Sequence, residues 1–298
     1  MARAGSDEPA QDNGRSSARR AKAVDDGFGS VAGQNSGVAE ARAVGVAPED
    51  YDAAHAAVQG SVLMRRLWAE AFGDEYPAEV APFSSCTWWL LGQLVAALRL
   101  PPGGRLVDLG CGRGGPGLWL ARALSASLVG IDFSQVAVEL ATQRAPEFVD
   151  PGRAEFHQAT FDRTGLSEAS VDGVVSVDAL PFAVDRVAAL TEARCILVPG
   201  GRFALTARVR PGGVGDWPAM ARSVGLDVED MRDIPHGDEC WRRLHASWLA
   251  HEPELRTELG DRAAGNLIAE ATQSRDAPAD LPPAVLLVLR RPVDPERE

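Results

Sequence analysis

The chain has 298 residues, of which 45% are hydrophobic, and this is enough apolar material for the packed core of one large or two small domains. Disorder of the whole chain is therefore excluded. Forty-two acidic residues against thirty basic ones give a net charge of -12, which would repel the phosphate backbone of a nucleic acid. No stretch approaches the roughly 20 consecutive apolar residues of a membrane span. We therefore expect neither a nucleic-acid nor a membrane partner.

Residues 1–44 are rich in Ala, Gly, Ser, Asp and Arg and show no hydrophobic period, so we predict a disordered tail. The tail lacks the apolar core of a signal peptide. The four cysteines are scattered, with no spacing that is typical of a zinc site or a disulfide framework. We therefore expect a cytoplasmic protein with reduced thiols and no metal.

Helical patterns dominate residues 45–100, which we interpret as an N-terminal helical cap. Pro48 opens a helix-start signal, a second helix is expected over residues 61–72, and a third helix is expected to start at Ser84 or Ser85. The apolar residues of the third helix recur at three- and four-residue steps, which predicts one buried stripe formed by Trp88, Leu91, Val95 and Leu98.

Residues 101–298 alternate short apolar runs with helical segments, which is the pattern of a mostly parallel α/β sheet. We predict seven strands, at residues 105–109, 127–131, 154–157, 171–177, 201–208, 226–234 and 284–291. Between them, helices are expected to start near Pro116, Ser134, Asp185 and Asp216. A helical insertion at about residues 238–273 precedes the last strand, and we interpret it as a lid.

A glycine-rich turn follows the first predicted strand. Gly110, Gly112 and Gly115 fit the pattern G-x-G-x-x-G, and Asp132 ends the next strand twenty residues after Gly112. This pattern alone is compatible with a dinucleotide site. However, Asp108 places a carboxylate two residues before the first glycine, and that charge favours a cationic ligand over a pyrophosphate.

Three motifs in order carry a family resemblance. They are Val-Asp-Leu-Gly-Cys-Gly at residues 107–112, Gly-Ile-Asp-Phe-Ser at residues 130–134 and Leu-Val-Pro-Gly-Gly at residues 197–201. With this set the chain resembles the class I S-adenosylmethionine-dependent methyltransferases over about residues 101–209. The resemblance implies S-adenosylmethionine as the cofactor and a Rossmann-like sheet of seven strands, mostly parallel, whose last strand runs antiparallel.

The resemblance also implies which residues bind the cofactor. Asp108 would hold its methionine part, Gly110 and Gly112 would let it lie across the turn, and Asp132 would accept hydrogen bonds from the ribose hydroxyls. The alternative is that Asp108 and Asp132 only cap helices. The other cofactor contacts that we predict are Phe133, Thr160, Phe161 and Ser176.

The adenine site departs from the family pattern. After the third strand many relatives carry Gly-Asp, whose acid meets the adenine amine, whereas this chain has Thr160 at that position. Phe161 could lie against the adenine ring or could belong to the core.

Candidate catalytic residues lie after the fourth strand and in the lid. Asp178 could orient an acceptor or serve as a base, or it could have only a turn role. His245 shares the apolar face of the lid and is our first candidate for a general base, with a satisfied core histidine as the alternative. His236, in the loop that leads into the lid, is the second candidate base. His55 and His251 are interpreted as surface residues.

Four of the seven tryptophans lie on the two elements that we expect over the cofactor, namely Trp88, Trp89, Trp241 and Trp248. They indicate an apolar or aromatic acceptor, unless they only attach helices to the sheet. We therefore predict methyl transfer from S-adenosylmethionine to a small molecule, as O-methylation in bacterial secondary metabolism. The alternative is a methyltransferase-fold protein that catalyses a cyclisation or rearrangement without methyl transfer.

Overall fold

The computed structural model describes residues 48–213, 215–276 and 281–293. The tail predicted at residues 1–44 lies outside the described residues, so its disorder stays a prediction. Among the described residues, no helix combines the length and the apolar character needed to cross a membrane.

Three helices precede the sheet, α1 Pro48–Gln59, α2 Val62–Phe72 and α3 Trp88–Leu98. The predicted start of the third helix at Ser84 or Ser85 is wrong. Thr87 caps α3 instead, because its hydroxyl accepts a hydrogen bond from the backbone N–H of Leu90 at 3.2 Å. The backbone N–H of Ser85 is donated to the carboxylate of Asp178, which draws this segment toward the sheet and away from the helix.

The predicted buried stripe of α3 is confirmed at Leu91 and Leu98 but not at its first member. Both leucines are fully buried, and Val95 is partly buried. Trp88 is 38% exposed, and its ring packs edge-on against Trp119 with 5.8 Å between the centroids. Trp88 therefore lies on the outer surface of the molecule.

The seven predicted strands are confirmed as β1 Arg105–Leu109, β2 Ser127–Asp132, β3 Ala154–Gln158, β4 Val171–Ser176, β5 Leu197–Arg208, β6 Asp227–Asp233 and β7 Ala284–Arg290. They form one sheet in the order β3-β2-β1-β4-β5-β7-β6. The first five strands pair in parallel, and β7 runs antiparallel to both β5 and β6, as the resemblance implies. β5 begins four residues earlier than predicted, since Leu197 pairs with Val171.

Helices cover both faces of the sheet, α4 Gly115–Leu124, α5 Gln135–Arg144, α6 Arg186–Ile196 and α7 Trp217–Ser223. The predicted helix starts at Ser134, Asp185 and Asp216 are confirmed, since each of these side chains caps the helix that follows it. Alternate residues along the strands face opposite sides, so two hydrophobic clusters form, one on each face.

The helical insertion before the last strand is confirmed, and it consists of three helices, α8 Gly237–Ala250, α9 Glu252–Leu259 and α10 Asp261–Arg275. These helices pack on one another and on α1 and α2. They share a third hydrophobic cluster with α2, in which Leu67 and Trp68 meet Leu244, Trp248 and Ala264. The lid and the N-terminal helices are thus joined through one core beside the sheet.

Candidate active site

A cavity of about 190 Å³ lies at the carboxyl ends of β1, β2 and β4, where ligands of open α/β sheets bind. We call the residues at the strand ends the sheet wall, which comprises Asp108, Gly110, Gly112, Asp132, Phe133 and Phe161. We call the residues from α2, α8, α10 and the loop before α3 the helical wall, which comprises Trp68, Phe83, Trp241, Trp248, Leu267 and Glu270. The cavity therefore has one wall of loops and carboxyls and one wall that is mainly aromatic.

The glycine turn brings bare backbone to the sheet wall. Gly110 and Gly112 both have positive φ, at 77° and 50°. A Cβ on Gly110 would come within 2.2 Å of the Cβ of Ala179, and the ring of Phe161 lies 3.2 Å from the same point. The end of β1 therefore has no room for a side chain at this glycine.

Asp132 ends β2 inside the cavity and is held by two backbone donors. The N–H of Gly112 donates to its Oδ2 at 2.8 Å, and the N–H of Ser134 donates to its Oδ1 at 2.9 Å. Burial raises the pKa of this carboxyl, and the backbone hydrogen bonds oppose the rise. Asp132 thus makes the local contact that a capping residue would make, and it also faces the cavity.

Asp108 is the second buried carboxyl of the sheet wall, with 3% of its surface exposed. Burial, together with the nearby charge of Asp132, raises the pKa of Asp108 to about 7, although the N–H of Gly117 at the start of α4 donates to it. A cationic ligand near these two carboxyls would favour their ionised forms. The charge of the sheet wall therefore suits a cation.

These residues fit S-adenosylmethionine. Its ammonium and sulfonium groups suit two buried carboxyls, and its ribose diol suits an aspartate at a strand end. The bare backbone at Gly110 and Gly112 lets a ligand approach the turn closely. Phe133 and Phe161 add apolar surface to the same wall.

Two of the predicted cofactor contacts lie outside the cavity lining. Thr160 is exposed and forms an isolated bridge with Arg163. Ser176 is fully buried, and its hydroxyl donates to the carbonyl of Leu109 at 2.8 Å and accepts from the N–H of Leu180 at 3.1 Å. Its hydrogen-bonding capacity is used to join β4, β1 and the turn after β4.

The helical wall is built around an aromatic cluster. The ring of Trp68 on α2 lies 5.4 Å from that of Trp241 and 6.4 Å from that of Trp248, both on α8. The indole N–H groups of Trp68 and Trp248 are buried without a hydrogen-bond partner among the described residues. Trp241 and Trp248 thus line the cavity as predicted, whereas Trp88 and Trp89 do not belong to its lining.

Asp178 lines the cavity at the end of β4, as predicted, with φ at 55°. Its two oxygens are both engaged. Oδ2 accepts the N–H of Ser85 at 2.5 Å, and Oδ1 accepts the hydroxyl of Thr206 at 2.7 Å. Both roles that the sequence allows, a turn residue and an acceptor contact, are compatible with this position.

The two histidines that we predict as bases lie outside the lining. His245 is 4% exposed, as expected for an inward residue, but its ring packs against Trp241 and Trp248 and its Nε2 lies 3.5 Å from Oε1 of Glu270. His236 precedes α8 with its side chain 80% exposed, 3.8 Å from Glu239. His236 therefore faces solvent.

The sequence analysis missed several residues of the cavity lining, among them His55 and Glu270. His55, interpreted as a surface residue, is buried in the lining beside Gly112, because Tyr51 and His55 share one face of α1 at a four-residue spacing. Burial and the charge of Arg113 lower the pKa of His55 to about 4, so its ring is neutral. Glu270, on α10, also lines the cavity and was not foreseen.

Known proteins match this architecture. A family model described as a methyltransferase domain matches residues 107–205. The 27-O-demethylrifamycin SV methyltransferase of Amycolatopsis mediterranei is 32% identical over 207 residues, which cover 66% of this chain and 72% of that protein.

Solved structures share the fold at lower identity. The cyclase SpnF superposes with a TM-score of 0.62 at 22% identity and covers 78% of this chain and 93% of its own. The phosphoethanolamine N-methyltransferase 2 of Haemonchus contortus, in complex with S-adenosyl-L-methionine, superposes with a TM-score of 0.60 at 16% identity and covers 76% of this chain and 56% of its own. Together with the rifamycin relative and the motifs of the sheet wall, these matches show that the chain belongs to the class I S-adenosylmethionine-dependent methyltransferases.

Proposed function

We propose that this methyltransferase acts on an oxygen atom of a small, largely apolar molecule of bacterial secondary metabolism. The observation that carries the proposal is the composition of the cavity, in which an aromatic helical wall adjoins the carboxyls and glycines of the sheet wall. A cavity that is mostly apolar and has few polar groups is the usual form of a site for a small apolar ligand.

The sheet wall would hold the cofactor. Asp132 would accept hydrogen bonds from the ribose hydroxyls, and Asp108 would stand near the cationic methionine part. When bound, S-adenosylmethionine supplies a methyl group made electrophilic by the sulfonium. No covalent intermediate on the protein is needed, since the acceptor oxygen can attack that carbon directly in an in-line displacement.

The helical wall would hold the acceptor. The ring of Trp241 is partly exposed and offers apolar surface, and the buried rings of Trp68 and Trp248 pack against it. A bound apolar molecule would exclude water from the reacting atoms.

The named relatives support the substrate class and define its alternative. The Amycolatopsis relative bears the name of an enzyme that methylates an O-demethylated rifamycin, which is the kind of acceptor that we propose here. SpnF is named as a cyclase, and its likeness to this chain concerns the fold alone. A cyclisation or rearrangement without methyl transfer is therefore the alternative that an assay must distinguish.

Mass spectrometry with a methyl-deuterated cofactor distinguishes methyl transfer from a cyclisation or rearrangement. The protein is incubated with labelled S-adenosylmethionine and a panel of hydroxylated polyketides that includes 27-O-demethylrifamycin SV. The proposal predicts a product that carries one labelled methyl group on oxygen, located by NMR, and a strong loss of that product with Asp132→Ala. A methyl group on nitrogen or carbon, or a rearranged product of unchanged mass, would refute it.

A further inference from the structure

The helix α10 turns a regular face toward the cavity. Ala263, Asn266, Leu267 and Glu270 all belong to the lining, at spacings of three and four residues that place them on one side of the helix. Glu270 is the only acidic side chain that the described part of the lid contributes to this lining. Its side chain is 14% exposed, so a carboxyl group stands among the aromatic rings of the helical wall.

An imidazole lies directly behind this carboxyl. Nε2 of His245 is 3.5 Å from Oε1 of Glu270, and the side chain of His245 is 5% exposed. The rings of Trp241 and Trp248, which do not titrate, lie 5.2 and 5.3 Å from it along α8. Within the described residues, neither ring nitrogen of His245 has a hydrogen-bond partner. A buried imidazole with both nitrogens free of hydrogen bonds calls for an explanation.

We propose, on the basis of the function proposed above, that Glu270 is the catalytic base and that His245 positions it and receives its proton. As the new bond forms between the acceptor oxygen and the methyl carbon, the bond from that carbon to the sulfonium breaks and its electron pair stays on sulfur, and the carboxylate of Glu270 takes the hydroxyl proton. The resulting carboxyl group then gives that proton to Nε2 of His245, which leaves the pair as imidazolium and carboxylate. Both ring nitrogens of His245 are buried, so after the product leaves the proton returns to solvent through Glu270 at the cavity surface.

The other titratable groups near the cavity are less suited to this step. Both oxygens of Asp178 already accept hydrogen bonds, and His236 faces solvent. His55 lines the cavity beside Gly112 of the sheet wall, on the side where the cofactor is proposed to bind. Glu270 places a carboxylate at the cavity surface, and His245 supplies a second proton acceptor that does not line the cavity.

Kinetics with the hydroxyl acceptor found in the labelling assay test the proposal. Glu270→Gln should lower kcat by about 10²- to 10⁴-fold, because base catalysis acts in the transition state. The dissociation constant of S-adenosylmethionine and the melting temperature should stay near those of the parent. His245→Gln should cause a smaller loss, and the double variant should be no slower than Glu270→Gln alone, since the two residues act in one path.

Chemical rescue separates a base from a packing residue. Added formate should restore part of the activity of Glu270→Ala, whose shortened side chain leaves space for a small carboxylate, and it should leave Asp178→Ala unchanged. Glu254→Gln, at an exposed position of α9, is the matched control and should behave as the parent does.

The outcomes tell this proposal apart from the proposed function. If Glu270→Gln methylates hydroxyl acceptors as fast as the parent does, the role of Glu270 is overturned while the proposed function stands. Losses that simply add in the double variant, with no rescue by formate, would overturn the shared proton path. A parent that methylates none of the hydroxyl acceptors would overturn the proposed function, and the assignment of the base with it.

Discussion

The sheet wall and the helical wall of the cavity are built in different ways. Every residue of the sheet wall lies at or just beyond the carboxyl end of one of the parallel strands β1, β2 and β3, so the fold alone brings Asp108, Asp132 and Phe161 to a common edge. The helical wall draws on segments that are far apart in sequence, from Trp68 on α2 to Glu270 on α10. Its shape depends on how helices pack against one another.

The two walls also rest on different hydrophobic clusters. The sheet wall rests on the two hydrophobic clusters that cover the faces of the sheet. The helical wall is the edge of the third cluster, which joins α2 to the lid. Changes in the lid can therefore alter the shape of the acceptor site while the cofactor site keeps its geometry. A family can in this way keep one cofactor and change its substrates.

The largest effect is expected for a side chain in the glycine turn. Gly110→Ala places a Cβ 2.2 Å from that of Ala179 at a φ of 77°, and the clash and the backbone strain together should cost about 2–5 kcal/mol of stability. Thermal unfolding and cofactor titration should both show the loss. Gly265→Ala in α10 is the control, since nothing lies within 4 Å of its Cβ position and a helical alanine should stabilise by about 1 kcal/mol. Equal melting temperatures for the two variants would contradict this account of the turn.

The next largest effect is expected at the end of β2. Asp132→Ala removes a buried carboxylate that we assign to the ribose hydroxyls, and charge-assisted hydrogen bonds of this kind contribute about 1.5–3 kcal/mol. The dissociation constant of S-adenosylmethionine should therefore rise roughly 10- to 150-fold in calorimetry. Asp162→Ala, at an exposed position after β3, serves as the control. Unchanged cofactor binding by a folded Asp132→Ala would show that the carboxyl acts only on Gly112 and Ser134.

A smaller effect is expected from pH. The pKa of Asp108 is about 7 in the ligand-free protein, and a cationic ligand binds better to its ionised form. Cofactor affinity should therefore fall by up to about tenfold per pH unit as the pH drops below 7. Asp108→Asn should flatten this dependence. If the cofactor affinity of the parent rises as the pH falls, the predicted direction of this pH dependence is wrong.

The same carboxyl predicts how the ligand-free stability depends on pH. Between about pH 4 and pH 7 the folded protein holds a proton on Asp108 that the unfolded chain releases. This contribution to the free energy of unfolding is complete below that window and is lost as the pH rises through it. Denaturant unfolding of the parent and of Asp108→Asn would measure the difference.

The smallest effect is expected for the N-terminal tail. Deletion of residues 1–44, which lack core-forming residues, should leave the melting temperature and the cofactor affinity nearly unchanged. A clear drop in melting temperature would show that the segment folds onto the rest of the chain.

Residues of the sheet wall could be predicted from the sequence, because local motifs mark where strands end. The strands followed from the alternating apolar runs, and the antiparallel last strand followed from the family resemblance. The cavity positions of Asp108 and Asp132 followed from the motifs, whereas Phe161 was left open between the adenine ring and the core. Ser176 was expected at the cofactor because it ends β4, but a strand end does not reveal that its hydroxyl is already bonded to Leu109 and Leu180.

The helical wall was harder to predict, because helical periodicity shows that a face is buried but not what covers it. His245 was correctly expected to point inward, but its neighbour Glu270 lies 25 positions along the chain and was not foreseen. His55 was missed for the same reason, since the fold supplies the glycine turn that covers it.

The central claim is that the two walls hold two different ligands, and the Michaelis constants of two variants test it most directly. Asp132→Ala and Trp241→Ala are compared in assays with S-adenosylmethionine and the acceptor found in the labelling assay. We predict that Asp132→Ala raises the KM of the cofactor with little change for the acceptor. Trp241→Ala should raise the KM of the acceptor by about tenfold or more and leave that of the cofactor near the parent value. A folded Trp241→Ala variant whose cofactor KM rises as much as that of Asp132→Ala would contradict the division of the cavity.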